Sequence, residues 1–457
     1  MGKLQRLYDK MPIFIQNAMT TVAGYRKCRD RYGKAYWERR EFLKGFDKLS
    51  LDEKLDYQAK KLWEFVRYAE SNSAFYNELY KGIDISSLSS IDDLKLLPVV
   101  DKEMLRANID KVYTIPKNGA VESHTGGTTG KSLTVRGMRD DMMYRMATLD
   151  HFKARLGFEN RKMKRATFNG KHIVPPSQKK KVFWRYNRSC KQMIYSSFHI
   201  TEENLAYYVS GLNKFKPDAI DGFFTSMCDV ANYMERHGIK PAFKPVAIFP
   251  TSETVTKSGR ELLERVFGCK VYDQYASSEG APFITECKCG KLHSELSTGV
   301  FEHFLPDSNE VLVTSFLTRG TPLIRYKIGD VVEFLPDDEI CTCGRHDLYV
   351  GEIQGRRLDY LYTAEGAKIN AGNVSNLLKN LPNVIIRSQA IQDKLGEITL
   401  LLQIDKKLYK DEYDKIIEDE FLHKFGKTTT VHIKHVDDIP REKSGKLRFI
   451  VNNCEKH

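Results

Sequence analysis

Three consecutive segments between residues 245 and 275 restrict the possible folds more than any other part of the chain. "PVAIFP" is a short apolar run, "KSGRELLERVFG" places Leu262, Leu263 and Phe267 at helical spacing, and "KVYDQY" alternates with a period of two. A strand, a helix and a strand at this spacing predict a βαβ unit, whose two strands must be parallel. The chain is therefore predicted to be an α/β protein with a parallel or mixed sheet.

The last hundred residues have a different pattern. "NVIIRSQAIQD", "EITLLLQID" and "TTVHIKHV" predict strands, and "KDEYDKIIEDEFLHKFG" predicts a helix that ends at Gly426. The chain has 457 residues, and single hydrophobic cores stop growing near roughly 250–300 residues. We therefore predict a large N-terminal domain, residues 1–353, with parallel and mixed sheets and helices. A small, mobile α+β domain, residues 354–457, follows it.

The N-terminal third predicts helices. Residues 1 to about 45 are basic and aromatic, and we interpret them as packed helices with a basic outer face; peripheral contact with a membrane surface is the alternative. Residues 51–80 repeat apolar side chains at helical spacing, and Asp101 is placed to cap a short helix.

The net charge of +12 fits a polyanionic partner or a phosphate-bearing ligand, although a solvated basic surface is the simpler and preferred explanation. The sequence shows no secretory signal or membrane span, so we expect a cytoplasmic protein. The nine cysteines are then expected to be free thiols or metal ligands.

A loop rich in Ser, Thr and Gly, "SHTGGTTGKSLTV" at residues 123–135, predicts phosphate binding. Its end, Gly-Lys-Ser, resembles a Walker A motif, but Thr125 stands where that motif needs its first glycine. Backbone N–H groups, hydroxyls and a lysine can still surround phosphate oxygens. The candidate ligands are Ser123, Thr125, Gly126, Gly127, Thr128, Thr129, Gly130 and Lys131.

Three further motifs carry side chains suited to the same chemistry. In "VYDQYASSEGAP" a strand leads to Glu279, a candidate Mg²⁺ ligand or, alternatively, a residue of a helix's first turn. In "TPLIRYKIGDVVEF" Asp330 could accept hydrogen bonds from two ribose hydroxyls or merely occupy a strand-to-turn position. In "IPREKSGKLRF" an exposed turn presents Lys446 and can project it into the site of another domain.

Together these motifs resemble those of the adenylate-forming enzymes, and more closely those of the phenylacetate–CoA ligase family and its CapK-like branch, associated with capsular polysaccharide biosynthesis. The segments "SHTGGTTGKSLTV", "FPTSETVT" with "YASSE", "LIRYKIGD", "GRRLDYLYTAEGAKIN" and "PREKSGKLRF" occur in the order found in that family. The resemblance covers nearly the whole chain.

The resemblance implies an ATP-dependent reaction in which a carboxylate attacks the α-phosphate, pyrophosphate leaves, and a thiol or amine then takes the acyl group. It implies that the Ser/Thr/Gly loop holds the β- and γ-phosphates and that Glu279 holds Mg²⁺. Lys446 would bridge the acyl carboxylate and the α-phosphate, and Asp330 would bind ribose. Tyr275 and Ser277 would line the adenine and acyl region, and Ser252 and Glu253 would border the acyl pocket. Arg356 would lie near the ribose, and Asp273 and Ser278 are further candidates for cofactor binding.

The hinge block departs from the family pattern. The family usually has Gly-Arg-x-Asp-Asp, whereas here Leu358 occupies the position of the first aspartate. This substitution puts in doubt the hinge position or the usual domain rotation, and with it a second half-reaction that uses coenzyme A.

Two Cys-x-Cys-Gly segments, near residues 287–346, predict a structural zinc site. The candidate ligands are Cys287, Cys289, His293, Cys341 and Cys343. Relatives in the branch favour a set without Cys289, and reduced surface cysteines are the alternative. The usual spacing is Cys-x₂-Cys, so convergence of all the thiolates is not assured by the pattern.

The function predicted is therefore an AMP-forming ligase that passes an activated acid to a thiol, or to a sugar amine or hydroxyl, in surface polysaccharide or secondary metabolite assembly. An aryl-CoA ligase is the nearest alternative. A basic zinc-containing nucleic-acid-binding protein is an alternative of another class, although no recognition helix is evident and we expect no nucleic acid. A relative that has lost turnover is a third, against which the presence of Lys446 and Glu279 argues.

Overall fold

The structure is a computed structural model that describes residues 3–124, 133–176, 178–305, 308–336, 341–356, 360–378, 381, 384–442 and 444–454. It divides into two compact units. The first comprises Met1–Gly24, Asn160–Val271 and Gln354–His457, and the second comprises Tyr25–Glu159 and Tyr272–Ile353. Separate domains with a boundary at residues 353 and 354 remain a prediction.

The α-helices are α1 (Lys3–Lys10), α2 (Ile13–Arg31), α3 (Lys34–Phe46), α4 (Leu51–Asn72), α5 (Ala74–Leu79), α6 (Lys102–Ala107), α7 (Ile109–Val112), α8 (Arg139–Arg155), α9 (Glu202–Phe215), α10 (Phe224–Arg236), α11 (Lys257–Phe267), α12 (Ala371–Asn376) and α13 (Glu412–Phe425). The strands are β1 (Val121–His124), β2 (Thr134–Gly137), β3 (Arg165–Asn169), β4 (Trp184–Asn187), β5 (Gln192–Ser196), β6 (Ala219–Phe223), β7 (Ala247–Thr251), β8 (Gln274–Tyr275), β9 (Ile284–Glu286), β10 (Leu292–Ser294), β11 (Gly299–Leu305), β12 (Ser308–Ser315), β13 (Leu323–Phe334), β14 (Tyr349–Arg356), β15 (Tyr360–Tyr362), β16 (Lys368–Asn370), β17 (Ile385–Lys394), β18 (Glu397–Ile404), β19 (Thr430–His435) and β20 (Ile450–Asn452). This mixture of helices and sheets confirms the predicted α/β class.

A five-stranded sheet in the order β4-β5-β3-β6-β7 forms the centre of the first unit. Strands β5, β3, β6 and β7 run parallel, and β4 closes one edge in the antiparallel direction. The predicted strand and helix at residues 247–267 are confirmed as β7 and α11. The helix begins after the cap Thr256 and ends at Gly268, whose φ of 65° explains the glycine.

The third segment of the predicted βαβ unit is shorter than its alternating pattern indicated. Val271 makes one parallel bridge to Ile248, while Gln274–Tyr275 pairs antiparallel with β9 in the second unit. Two backbone N–H groups of this segment donate to side chains instead of to a strand. The N–H of Val271 donates to Glu264, and the N–H of Asp273 donates to Glu286. A continuous ladder would need those donors.

The predicted elements of the C-terminal hundred residues are confirmed. They form a four-stranded sheet in the order β19-β18-β17-β20, with the long hairpin β17-β18 at its centre. Helix α13 buries Ile417, Phe421 and Phe425 in the hydrophobic cluster that this sheet also lines. Strands β15 and β16 form a separate two-stranded ribbon.

The second unit contains a seven-stranded sheet in the order β11-β12-β13-β14-β10-β9-β8. Helix α4 packs on the core of this unit and is fixed at its start by a capping box between Ser50 and Glu53. The predicted helix over residues 51–80 is interrupted at Ser73, which ends α4 and caps α5. Asp101 caps α6 as predicted, accepting from the N–H of Met104 at 2.8 Å.

The three N-terminal helices are also confirmed, and α2 exposes Arg26, Lys27 and Arg29 in agreement with a basic outer face, but it exposes apolar side chains as well. Phe14, Ala18 and Val22 lie on one face at helical spacing, and all three are exposed. The alternative, contact with a membrane surface, stays untested. Among the described residues, no helix combines the length and the apolar character that crossing a bilayer would require.

Candidate active site

The strands on either side of the predicted phosphate loop pair with each other. In the β1-β2 hairpin Ser123 lies opposite Val135, and His124 lies opposite Thr134. Thr125 to Ser132, which include the other predicted phosphate ligands, lie outside the described residues. An antiparallel hairpin differs from the strand-to-helix connection of a P-loop, so these flanks agree with the rejection of a Walker A motif.

Tyr275 and Asp330 form a buried pair in the second unit. The Tyr275 hydroxyl donates to Asp330 Oδ2 at 2.6 Å, and each residue is 8% exposed. Tyr275 lies at the end of β8, and Asp330 lies on β13 directly after Gly329, whose φ is 80°. The structure thus joins two residues that the sequence assigned to different motifs.

Glu279 lies in a tight turn after β8 that is stabilised by the side chain of Ser277. The Ser277 hydroxyl accepts from the N–H groups of Gly280 and Ala281 at 3.1 and 3.0 Å. Glu279 is 7% exposed, whereas Ser278 is exposed. One buried carboxylate matches the chemistry of a Mg²⁺ site that is completed by phosphate oxygens.

Arg145, on α8, fixes this turn and was missed by the sequence reasoning. Its Nη1 donates to the carbonyl oxygens of Gly280 and Ala281 at 2.7 and 2.9 Å. The guanidinium carbon lies 4.5 Å from the ring centre of Phe283, and burial lowers the arginine pKa to about 10. Because Arg145 belongs to no recognised motif, only the folded chain reveals this role.

Asp273 organises backbone before the same turn. Its N–H donates to Glu286 at 2.7 Å, and its carboxylate accepts from the N–H of Gln274 at 2.7 Å. These contacts explain the aspartate without a ligand, so its predicted role in nucleotide or acyl binding stays a prediction.

Lys446 contacts the predicted Ser252–Glu253 segment within the first unit. The Lys446 Nζ donates to the carbonyl oxygen of Ser252 at 2.8 Å and lies 5.8 Å from the ring centre of Phe223. Ser252 has φ of 67°, an unfavourable value for a residue with a side chain. This backbone conformation turns a carbonyl oxygen towards the lysine at the carboxyl end of β7.

Glu253 is held beside this contact by α10. The N–H and hydroxyl of Thr225 donate to its carboxylate at 2.8 and 3.1 Å. Burial raises the pKa of Glu253 above its usual value, while Thr225 and the positive charges of Arg441 and Lys446 act in the opposite direction. A carboxylate and a lysine therefore lie together at the edge where ligands bind to parallel sheets.

The predicted hinge block is described only in part. Arg356 ends β14, and its side chain, like Leu358 and Asp359, lies outside the described residues. The functions assigned to Arg356 and to the hinge remain predictions.

Four of the five predicted metal ligands converge in the second unit. One ligand atom from each of Cys287, His293, Cys341 and Cys343 lies within 4.8 Å of the others. Cys287 Sγ is 3.6 Å from Cys341 Sγ, and Cys343 Sγ is 3.7 Å from His293 Nε2. With Zn–S bonds of about 2.3 Å, tetrahedral ligands are separated by roughly 3.7 Å. The donor set and its spacing therefore fit zinc.

Sheet pairing explains why the two Cys-x-Cys segments meet. Strand β10, which contains His293, pairs with β9 on one side and with β14 on the other. Cys287 directly follows β9, and Cys341 and Cys343 precede β14. Cys289 is exposed and lies outside the converging set, with its sulfur 3.4 Å from the hydroxyl of Thr342.

Buried charges orient the histidine of this cluster. His293 Nδ1 lies 3.1 Å from Asp347 Oδ2, and Asp347 also pairs with Lys54 at 3.0 Å and with Arg345 at 2.8 Å. Metal-bound histidines commonly place their second nitrogen on a carboxylate in this way. The sequence reasoning missed Asp347 because nothing nearby marks it as a partner of His293.

The thiols differ in acidity. Burial raises the pKa of Cys287, but hydrogen bonds from His293 and from backbone N–H groups outweigh it and lower the pKa to about 6. Burial and neighbouring thiols raise the pKa of Cys341 to about 12. A thiolate beside protonated thiols is an arrangement that a cation would stabilise.

Comparisons with known proteins agree with these motifs. Residues 361–453 match the family described as the CapK C-terminal domain. Protein CapK of Staphylococcus aureus is 38% identical over 455 residues, which cover 99% of this chain and 100% of that protein. A phenylacetate-coenzyme A ligase of Thermus thermophilus is 24% identical over 86% of this chain and 95% of that protein.

Among solved structures, 2-hydroxyisobutyryl-CoA ligase in the postadenylation state, in complex with R3-HIB-AMP, has a TM-score of 0.72 with 16% identity. The match covers 92% of this chain and 93% of that chain, and at this identity it concerns the fold. The likeness to CapK, in contrast, joins substantial identity to full coverage of both chains. The chain therefore belongs to the adenylate-forming ligase family, in its CapK-like branch.

Proposed function

We propose that this protein activates a carboxylic acid with ATP, forms an acyl-adenylate and pyrophosphate, and then transfers the acyl group. The observation that carries the proposal is the position of Lys446, whose amino group lies at the Ser252 carbonyl beside Glu253 in a chain of the adenylate-forming family. An amino group held at the carboxyl end of a parallel strand is placed to bind an anionic substrate.

In the first step, a carboxylate oxygen attacks the α-phosphorus, and the bond from that phosphorus to the oxygen bridging the β-phosphate breaks. Two anions must approach each other, so the main requirement is positive charge that is already in place. Lys446 supplies this charge by contacting the acyl carboxylate and an α-phosphate oxygen. Its hydrogen bond to the Ser252 carbonyl orients the side chain at the carboxyl end of β7.

On the nucleotide side, Asp330 accepts hydrogen bonds from the ribose hydroxyls and Tyr275 orients its carboxylate. The Ser/Thr/Gly loop, residues 123–131, holds the β- and γ-phosphates. Mg²⁺ held by Glu279 and phosphate oxygens would neutralise charge on the leaving pyrophosphate. Arg145 keeps the turn that carries Glu279 in place through two carbonyl groups.

In the second step, a thiol loses its proton and its sulfur attacks the acyl carbon, which breaks the bond to AMP. Coenzyme A is the acceptor that we favour, since it is named in the phenylacetate-coenzyme A ligases to which this chain is similar. Those relatives also favour an aryl acid as the alternative substrate class. The name of CapK suggests a polysaccharide role, in which a sugar amine or hydroxyl would receive the acyl group.

We propose that zinc binds to Cys287, His293, Cys341 and Cys343 and has a structural role. The four protein ligands leave no open coordination position of the kind that catalytic zinc sites need.

Purified protein should catalyse an exchange of label between pyrophosphate and ATP that depends on a carboxylic acid and on Mg²⁺. A panel of aliphatic, aryl and hydroxy acids would identify the substrate class, and hydroxylamine would trap the activated acyl group as a hydroxamate. Formation of ADP instead of AMP, or exchange without any acid, would contradict the proposal.

Replacing Asp330 by asparagine is expected to raise the KM for ATP by about tenfold, because charge-assisted hydrogen bonds to ribose become neutral ones. The KM for the acid should change little. Steady-state kinetics at saturating acid would measure both values. Tyr275→Phe, which removes the 2.6 Å hydrogen bond but keeps the carboxylate, should have a smaller effect. Equal effects on ATP and acid would contradict a ribose role.

A further inference from the structure

Asp229, on α10, joins two arginines that lie far along the chain in the same unit. Its Oδ2 accepts from Arg387 Nη2 at 2.9 Å and also from Arg441 Nη2. The side chains of Asp229, Arg387 and Arg441 are 5%, 3% and 6% exposed. One buried carboxylate therefore accepts from two guanidinium groups, where solvent screens the charges little.

Arg387 is held in this position by further contacts. Its Nη2 also donates to the carbonyl oxygen of Ile200 at 2.8 Å, and its Nη1 pairs with Asp438 at 2.8 Å. The strand β17 thus presents an arginine that is fixed on several sides. Arg441 has fewer supporting contacts: its Nη1 donates to the Thr225 hydroxyl at 3.5 Å, and Asp229 is its ionic partner among the described residues.

Arg441 in turn binds the turn that carries the catalytic lysine. Its Nη1 donates to the carbonyl oxygen of Gly445 at 3.2 Å. The turn is closed by hydrogen bonds from Gly445 N–H to Glu442 at 2.8 Å and from Glu442 N–H to the Lys446 carbonyl at 2.9 Å. A displacement of Arg441 would therefore move the backbone from which the Lys446 side chain extends.

The turn also packs closely against the backbone at Gly170, directly after β3. A Cβ atom added to Gly170 would overlap the carbonyl oxygen of Ser444. One added to Gly445 would lie 2.9 Å from the Cα of Gly170 and 3.2 Å from the ring of Phe198. Two glycines thus permit a backbone approach that side chains would prevent.

We propose that Asp229 is a positioning residue, which holds Arg441 so that the turn closed by Glu442, Gly445 and Lys446 stays packed on Gly170 and Lys446 stays at Ser252. This inference rests on the proposed function, because the packed turn serves the adenylation step. The device acts through Arg441 and Gly445 and touches neither ATP nor the acid.

The test compares Asp229→Asn with a matched control. Asp405→Asn likewise neutralises an aspartate that pairs with an arginine, since Asp405 pairs with Arg236 of α10 at 2.8 Å. The described contacts of Asp405 do not include the turn that carries Lys446. Gly170→Ala disturbs the packing of this turn without changing any charge and serves as a second variant. Adenylation is measured by acid-dependent ATP–pyrophosphate exchange, and acyl transfer is measured separately from a chemically prepared acyl-adenylate.

We expect Asp229→Asn and Gly170→Ala to lower the kcat of adenylation by about 10- to 100-fold, because small displacements of a catalytic group cost rates of that order. The KM for ATP and the rate of acyl transfer should stay near the wild-type values, as should both half-reactions in Asp405→Asn. Equal losses in the two half-reactions, or unchanged adenylation in both test variants, would overturn the proposal.

Limited trypsin digestion gives a readout that does not require activity. The segment 441–448 contains several lysines and arginines, and its cleavage should be faster in Asp229→Asn than in the wild type or in Asp405→Asn. If the wild-type protein activates no acid, the proposed function fails while the digestion still tests the positioning. Equal cleavage rates in all three proteins would show that Asp229 does not hold the turn.

Discussion

Replacing Lys446 by alanine is expected to lower the rate of acyl-adenylate formation by about 100- to 1,000-fold, the usual cost of removing one preorganised group that stabilises a transition state. In the proposed mechanism the lysine faces the charge that develops when a carboxylate attacks a phosphate, so its loss should affect kcat more than binding. ATP affinity, measured by titration with a non-hydrolysable analogue, should change by less than about threefold because the proposed ribose and phosphate ligands are Asp330 and the Ser/Thr/Gly loop.

The matched control is Lys434→Ala. Lys434 is an exposed lysine on β19, and this substitution removes the same charge from the same C-terminal part of the chain. This variant should keep wild-type kinetics, which excludes a general effect of net charge. Lys446→Arg retains the charge on a longer, forked group and should recover only a small part of the activity. Normal adenylation by Lys446→Ala would reassign the catalytic cation.

Acyl transfer from a prepared acyl-adenylate gives a second prediction for the same variant. That step forms a bond to sulfur and expels AMP, so it does not need positive charge between a carboxylate and ATP. Lys446→Ala should therefore retain most of this rate. The ratio of the two half-reactions separates a missing catalytic group from a protein that has folded badly.

The elements of the C-terminal segment could be predicted because local patterns determine them. Alternation over β18 matches a sheet with one buried face, and the apolar spacing of α13 matches a helix that ends at Gly426. These periods depend only on neighbours in the sequence. The same reasoning failed at residues 270–275, since the alternating run is divided between two pairings and Glu264 and Glu286 accept from its backbone.

Contacts between residues that lie far apart in the chain could not be predicted from the sequence. Tyr275 and Asp330 were placed in separate motifs, and their hydrogen bond depends on how β8 and β13 are arranged in one unit. Asp229 had no recognisable signal at all, because a single aspartate on a helix is ordinary and its two arginines lie more than 150 residues away. Family motifs identify groups that contact substrate, but they leave out the groups that hold those residues in place.

The cluster of Cys287, His293, Cys341 and Cys343 lies between these cases. Two Cys-x-Cys-Gly segments indicated a metal site, but their unusual spacing left convergence open. The pairing of β10 with both β9 and β14 brings three thiols and one imidazole together and leaves Cys289 outside. Which residues converge thus follows from strand register, which the cysteine pattern alone does not contain.

Cys341→Ser is accordingly expected to abolish stoichiometric zinc binding and to lower the unfolding temperature by at least about 5 °C, since loss of a structural metal is among the few changes that cost several kcal/mol. Cys341 is buried and lies 3.6 Å from Cys287, so the variant leaves a smaller hydroxyl where a thiolate ligand is needed. Elemental analysis of protein purified without chelator, followed by thermal denaturation, would measure both effects.

Cys289→Ser is the control, because it makes the same replacement of a thiol by a hydroxyl in the other Cys-x-Cys-Gly segment, at a residue that lies outside the cluster. It should keep its zinc and its unfolding temperature. A chelator should lower the unfolding temperature of the wild type and of Cys289→Ser but leave Cys341→Ser unchanged. Absence of zinc from the wild-type protein, or equal zinc loss in the two variants, would mean that the buried thiols stabilise this sheet edge without a metal. In that metal-free protein, the raised pKa of Cys341 and the lowered pKa of Cys287 would leave a protonated thiol beside a thiolate.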